Sequence, residues 1–338
     1  MYGSLRASEF VGVLAILVAG FALPFMLPEY FLYTGNMLMT YAVLAIGLDL
    51  LIGWSGQFAF AHIAFFGIGI YGTAILESRL GVPYLLSALA SALIAGGAGL
   101  LIGFPAARLK TVYLALATYA FAECAQWVFR TWDPVTGGSD GLRFNPPVIF
   151  GYETGTDGAA FPVVAIILAL VVTATLYLAK SKLGRHMCAI RDSEHVASAS
   201  GIDVRGIKVA TFAISAVFAS IAGSAYTLFQ SFINADVLGA SQLVTVLTMV
   251  VIGGSSSIAG VLLGVVVVGF LPEILRAMPH SLLVWQEFIY GAILVAAIVF
   301  MPQGLWGLFR QRIAARPRRH DRSARESPAV RPVPETSP

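Results

Sequence analysis

Residues 37–77 read MLMTYAVLAIGLDLLIGWSGQFAFAHIAFFGIGIYGTAILE. Between Met37 and Leu76 the only charged or basic side chains are Asp49 and His62. At ~1.5 Å per helical residue the stretch covers about 60 Å, two crossings of a ~30 Å hydrocarbon layer with nothing left for a loop. In lipid a backbone must satisfy its own hydrogen bonds, so such a run forms helices, and the strand-like alternation of a barrel is absent. The fold class follows: an all-α, polytopic transmembrane helical bundle. Trp54-Ser55-Gly56 is the only interruption, so a helix is expected to be broken or re-entrant there.

The rest of the chain agrees. Of 338 residues, 58% are hydrophobic and 12% charged, against about 25% charged in soluble domains. Apolar blocks fall at about 9–27, 37–53, 57–77, 83–104, 111–130, 161–180, 207–230, 237–253, 257–272 and 285–301. That gives about ten spans within one domain, 1–310. The first block follows Arg6 with no small-x-small cleavage site behind it, so it is read as an uncleaved span. The Arg-, Pro- and Ser-rich segment 311–338 is expected to be a disordered basic tail. Blocks eight and nine leave even less room for a loop than 37–77, so 237–272 is two spans or a re-entrant pair.

Lys and Arg set the orientation. Segment 180–208 carries Lys180, Lys182, Arg185, Arg191, Arg205 and Lys208, Arg108 and Lys110 fall between blocks four and five, and the tail is arginine-rich. All are expected to be cytoplasmic. Loop 131–160 carries Asp133, Asp140, Glu153 and Asp157 against Arg143 and is expected outside. Ten spans with both termini in the cytoplasm satisfy every placement.

Asp49, Gln57, His62 and Glu123 are polar groups in apolar settings and candidates for lining a translocation pathway. The competing reading is interhelical hydrogen bonding. Gly53 and Gly56, and again Gly253 and Gly254, each precede a glycine-lined helix, and broken helices at matching positions can mark a transporter's hinges or gates. Gly99 and Gly103, Gly260 and Gly264, and Ser215, Ala219 and Gly223 have the spacing that seats one helix on another. Gly137 to Gly141 matches G-x-S-x-G, but a nucleophile elbow needs a strand before it and a helix after it; in this acidic loop a turn is expected.

Segment 181–203, SKLGRHMCAIRDSEHVASASGID, is the most informative polar piece. Asp192 or Ser193 can cap a short helix, Glu194 suits its first turn and Gly201 can end it. Its compact residues suit docking into a partner's groove, whereas an interfacial helix would want bulkier apolar ones. The sequence has no phosphate-loop, H-E-x-x-H or C-x-x-C motif. Cys124 and Cys188 suggest neither a disulfide nor a metal site, and no basic, aromatic-interleaved face suggests nucleic acid.

The pattern Gly-Gln-x-x-x-x-His-x-Ala-Phe-Phe-Gly-Ile-Gly within 46–71 resembles the signature region of LivM-type permeases of branched-chain amino acid ABC importers. The resemblance continues in order through 108–113, 120–123, 136–142, Leu183-Gly184-Arg185, Ala189-Ile190-Arg191-Asp192, 199–202, Gly253-Gly254 and Pro302-Gln303-Gly304-Leu305. It implies a non-catalytic subunit in the bacterial inner membrane, with no cofactor of its own. It implies as partners a LivH-like second permease, two ATPase subunits that bind ATP, and a periplasmic substrate-binding protein. Segment 185–203 then becomes the ATPase-coupling segment, carried by Arg185, Arg191, Asp192, Glu194, Ala197 and Gly201. The sequence departs from the family pattern at Asp49, more often Asn, and at Phe58-Ala59-Phe60, usually Ser and Gly. Close relatives carry urea, short amides or aromatic acids, so the cargo stays open between branched-chain amino acids and these. The alternative is an ion-coupled secondary transporter using Asp49 and Glu123.

Overall fold

In lipid, helices gain nothing from turning large apolar side chains toward one another, so small residues face inward and large ones outward. Helix α4 (Tyr84–Ala106) shows the rule: Leu85, Leu86, Leu89, Leu93, Ile94 and Leu101 are exposed, while Ser87, Ser91, Ala95, Gly96, Gly99 and Gly103 are buried. The computed structural model describes residues 7–149 and 151–271, with scattered positions between 285 and 306. The expected tenth span at 285–301 falls mostly, and the tail at 311–338 wholly, outside the described residues.

The remaining helices are α1 (Ala7–Ala22), α2 (Glu29–Asp49), α3 (His62–Leu80), α5 (Thr111–Thr131), α6 (Asp133–Thr136), α7 (Asp157–Lys180), α8 (Lys182–Asp192), α9 (Glu194–Ala199), α10 (Val204–Tyr226), α11 (Ala240–Gly253) and α12 (Ile258–Gly269). Among the described residues six helices are long and apolar enough to cross a membrane: α2 with its extension to Trp54, α3, α4, α5 from Val112, α7 and α10. Three shorter apolar helices fall at Val11–Phe25, α11 and α12.

Helix α10 is central and packs on α2, α3 and α4. Its buried face is Ser215, Ala216, Ala219, Ser220, Ala222, Gly223 and Ser224, small enough for backbones to touch. A methyl group at Gly69 of α3 would meet the backbone of Ser220, and one at Gly223 would meet the backbone of Phe66 and Ile70. Gly99 and Gly103 seat α4 against Phe212 and Ala216, and Gly260 and Gly264 seat α12 against Gly253. The three small-residue spacings read from the sequence are therefore all helix contacts.

The chain alternates between two ends. Glu9 at the start of α1 pairs with Lys180 at the end of α7, 2.5 Å apart. The same end holds α8, α9 and the turn between α11 and α12. At the opposite end β1 (Leu142–Arg143) pairs with β4 (Phe232–Ile233), β2 (Val148–Ile149) and β3 (Tyr152–Glu153) form a hairpin, and Arg130 pairs with Asp236. Basic segment 180–208 and acidic loop 131–160 thus lie at opposite ends of the bundle.

Helices α7 and α10 start three or four residues earlier than expected, and three other places differ more. Helix α2 begins at Glu29 rather than near 37, because its early polar residues find donor partners inside the protein: Thr34 Oγ1 donates to Tyr30 O (3.1 Å) and Asn36 Nδ2 to the carbonyl of Asp157 (3.0 Å). Helix α3 begins at His62 rather than 57, because residues 55–61 are not helical. Helices α11 and α12 are about 21 and 18 Å long by their residue counts, short of a ~30 Å layer. They form an antiparallel pair beside α2, from Gly269 near Leu38 to Ser256 near Gly53.

Candidate functional site

Helix α2 loses its α-helical register at Leu50–Trp54, which widen into a π-turn, a distortion frequent at functional sites. Beyond it residues 55–61 are non-helical and mostly buried, so their backbone groups need other partners. Leu51 O accepts from Gln57 N (2.8 Å) and Ser55 Oγ (3.0 Å), and Phe60 N donates to Thr118 Oγ1 of α5 (2.9 Å). Gly56 turns the chain at φ +69°, and a methyl group there would press on Arg191.

The second break, Gly254–Ser257, lies against the first. Gly254 takes φ +105°, and Ser256 is the one non-glycine residue with positive φ among the described residues. Left-handed backbone at a serine is uncommon and needs surrounding contacts to hold it. Those contacts come from α2. Asp49 Oδ1 accepts from Ser256 N (2.9 Å), Asp49 Oδ2 accepts from Trp54 Nε1 (3.0 Å), and Ser256 Oγ donates to Gly53 O (2.5 Å). Gly53 must stay bare: a methyl group would stand 2.5 Å from Ser256 N.

Arg191 closes the cluster. It sits in the last turn of α8, and its Nη1 donates to Gly53 O (2.8 Å) and Ser256 Oγ (2.5 Å). Its other nitrogens reach Asp192 Oδ1 at 3.2 and 3.3 Å. One guanidinium from the 185–203 segment therefore clamps both broken helices. A second link runs beside it. Glu194 of α9 pairs with Lys208 of α10, and Lys208 O lies 3.5 Å from Gln57 Nε2, which also donates to Ser55 Oγ (2.7 Å). Gln57 Oε1 is buried without a protein partner.

The α8–α9 segment is built for this position. Ser181 caps α8, which buries Gly184, Met187 and Ile190. Ser193 takes the cap of α9, accepting from Val196 N. Gly201 ends it at φ +79° with paired bonds from Gly201 N to Ser198 O and Ile202 N to Ala197 O. Of α9 only Ala197 is buried; Glu194, His195, Val196, Ser198 and Ala199 face outward. Arg185 is exposed and bonds Lys180 O (2.9 Å).

The four polar residues singled out as pathway candidates separate. Asp49, Gln57 and His62 are each 2% exposed. His62 Nε2 donates to Leu44 O (2.8 Å), which in the neutral ring leaves Nδ1 to accept from Ser215 Oγ (3.0 Å). His62 thus ties α3 to α2 and α10. Glu123 lies elsewhere, on the exposed face of α5. Sequence reading missed Trp54, Ser256 and Lys208 as members of the cluster. Trp54 lies five residues from Asp49 and could have been flagged; the other two are brought in by tertiary contact alone. No group of three metal-ligating side chains is present among the described residues.

A family model described as the branched-chain amino acid transport system / permease component matches residues 30–298. The high-affinity branched-chain amino acid transport permease LivM of Escherichia coli K12 is 28% identical over 325 residues, covering 89% of this chain and 76% of that protein. LivH of the same strain is 25% identical over 284 residues, covering 79% and 91%. The ribose import permease RbsC of Haemophilus influenzae is 26% identical over 251 residues, covering 72% and 73%. No solved structure matches the chain at a significant level. The helical fold, the apolar spans and a family match over most of the length agree: the chain is a multi-pass membrane protein and belongs to the family of branched-chain amino acid transport system permease components.

Proposed function

We propose that the chain is a permease subunit of an ATP-driven importer that moves branched-chain amino acids or a related small polar solute across the bacterial inner membrane. Its expected partners are a second, LivH-like permease, two ATPase subunits that bind the ATP, and a periplasmic substrate-binding protein. The end bearing α8 and α9 faces the cytoplasm, and the acidic end with the β2–β3 hairpin faces outward. Both chain termini lie inside, residues 1–310 form the transmembrane domain and 311–338 a tail. The relative that imports ribose leaves the cargo open, and the departures at Asp49 and Phe58 to Phe60 fall beside the broken helices.

The observation that carries the reading is the clamp of Arg191 on Gly53 O and Ser256 Oγ. ATPase closure moves α9, Arg191 and the Glu194–Lys208 pair transmit that movement, and the two breaks open or close the inner end of the path. Gly53, Gly56, Gly253 and Gly254 serve as hinges. Asp49, Gln57 and His62 act by holding the backbone beside the path. An ion-coupled mechanism would place Asp49 and Glu123 in one site; Asp49 is instead engaged by Ser256 and Trp54, and Glu123 stands on another face. The test is uptake by proteoliposomes. The chain with its partners should take up leucine, isoleucine or valine only with ATP inside the ATPase compartment. Uptake by the chain alone, driven by an ion gradient, would overturn the reading.

A further inference from the structure

Helix α5 is the least covered of the six long helices. An exposed face on α4 is explained by lipid, because it shows leucines. The exposed face of α5 is apolar too, but a polar stripe crosses it: Tyr119, Glu123 and Arg130 are exposed and Gln126 half-buried. They fall at i, i+4, i+7 and i+11, which at 100° per residue places them within an arc of about 60°. The stripe rises about 16 Å along the helix from Tyr119 to Arg130. Its outer half is already engaged. Arg130 pairs with Asp236, Asn234 Nδ2 donates to the same carboxylate (3.1 Å), and Gln126 Nε2 donates to Ala235 O (3.2 Å). Its inner half is a carboxylate: Glu123 is exposed, stands one helical turn from Tyr119 and has no cationic partner among the described residues. A carboxylate at membrane depth faces a bundle interior or a water-filled path rather than lipid. Beside it on the same helix run Leu116, Ala120 and Trp127, an exposed apolar strip.

We infer that this stripe is the chain's wall of the solute path and that Glu123, with Tyr119, receives the primary ammonium group of a zwitterionic solute. The neighbouring Leu116–Ala120–Trp127 strip receives an aliphatic side chain. This rests on the transport reading above and adds to it a solute-contacting residue and the group it contacts. Charge complementarity selects the occupant: a carboxylate with no cationic partner among the described residues attracts a cationic group, and Arg130, held by Asp236, is not free to compete for it.

The experiment uses the assembled transporter in proteoliposomes, with leucine delivered by the binding protein. E123Q should lower uptake at sub-saturating leucine by about tenfold or more, the loss of one charge-assisted contact. E123D should recover part of it, and the yield of assembled complex should equal that of the wild type. In a C124A/C188A background, L116C should react with a membrane-impermeant thiol reagent, and leucine transport should slow the reaction. Wild-type uptake by E123Q and E123A overturns the assignment. So does loss of the second permease from purified E123Q, which would make Glu123 an interface partner, or an unreactive L116C, which would make the face a lipid or sealed surface. If wild-type complex shows no ATP-driven uptake, the importer reading fails first and this inference with it.

Discussion

Arg191 pairs with Asp192 and still donates through Nη1 to two neutral acceptors, Gly53 O and Ser256 Oγ. Hydrogen bonds to charged donors contribute about 1.5–3 kcal/mol each. Replacing the guanidinium by methyl leaves Gly53 O with Ser256 Oγ alone and frees the α8 end from both breaks. R191A should therefore insert and assemble normally but lose about tenfold or more in uptake per ATP hydrolysed, since ~1.4 kcal/mol is already a factor of ten. R191K keeps the charge without the planar fork and should fall between. The check is the ratio of uptake to ATPase rate in one preparation; an unchanged ratio in R191A would remove Arg191 from the coupling path. His62 makes the opposite prediction. With both nitrogens occupied by Leu44 and Ser215, its substitution should act on stability. Interhelical bonds in membranes average about 0.6 kcal/mol each, so H62A should lose roughly 1–2 kcal/mol with the cavity included. That loss is read as a lowered unfolding midpoint in detergent, with the uptake-to-ATPase ratio unchanged.

At the scale of elements, the seam between α3 and α10 is the tightest place for a test. Gly69 and Gly223 face backbone, which cannot move aside as a side chain can. G69V or G223V should push the two helices apart and cost several kcal/mol, as overpacking does when nothing can yield, whereas G97V, with nothing within 4 Å, should be nearly neutral. Thermal unfolding of the three variants in one detergent decides it. These seams were legible in the sequence because small residues at fourfold spacing have one use in lipid. The limits of α4 and α5 were legible too, because each ends where apolar residues give way to Lys, Arg or a turn. The start of α3 was not. Residues 57–61 are as apolar as the helix that follows, and what keeps them extended is a threonine on α5, 58 residues on, that bonds Phe60 N. The clamp was invisible for the same reason. The sequence marked Gly53, Gly254 and Arg191 separately, but their meeting depends on Ser256 adopting φ +71° against Asp49, which no local pattern encodes.

For the whole molecule the question is whether the two polar links act as one lever. One runs from Arg191 to Gly53 and Ser256, the other from Glu194 through Lys208 to the carbonyl beside Gln57. Both leave the α8–α9 hairpin and end at the non-helical segments. If the hairpin moves as a rigid piece, either link alone carries part of its displacement, and losing both disconnects it. Independent links would make the losses in R191A and E194A add in free energy. A shared lever makes the double variant worse than the sum, because each single variant still has the other link. Glu194 is half exposed but Lys208 is nearly buried, so E194A strands an ammonium group and should also lower the unfolding midpoint, which is why the comparison is made on a ratio measured in assembled complex. The measurement is a double-mutant cycle on the uptake-to-ATPase ratio with R191A, E194A and R191A/E194A. A coupling energy of about 0.5 kcal/mol or more is expected for residues in one network. Strict additivity would mean that the two breaks are driven separately.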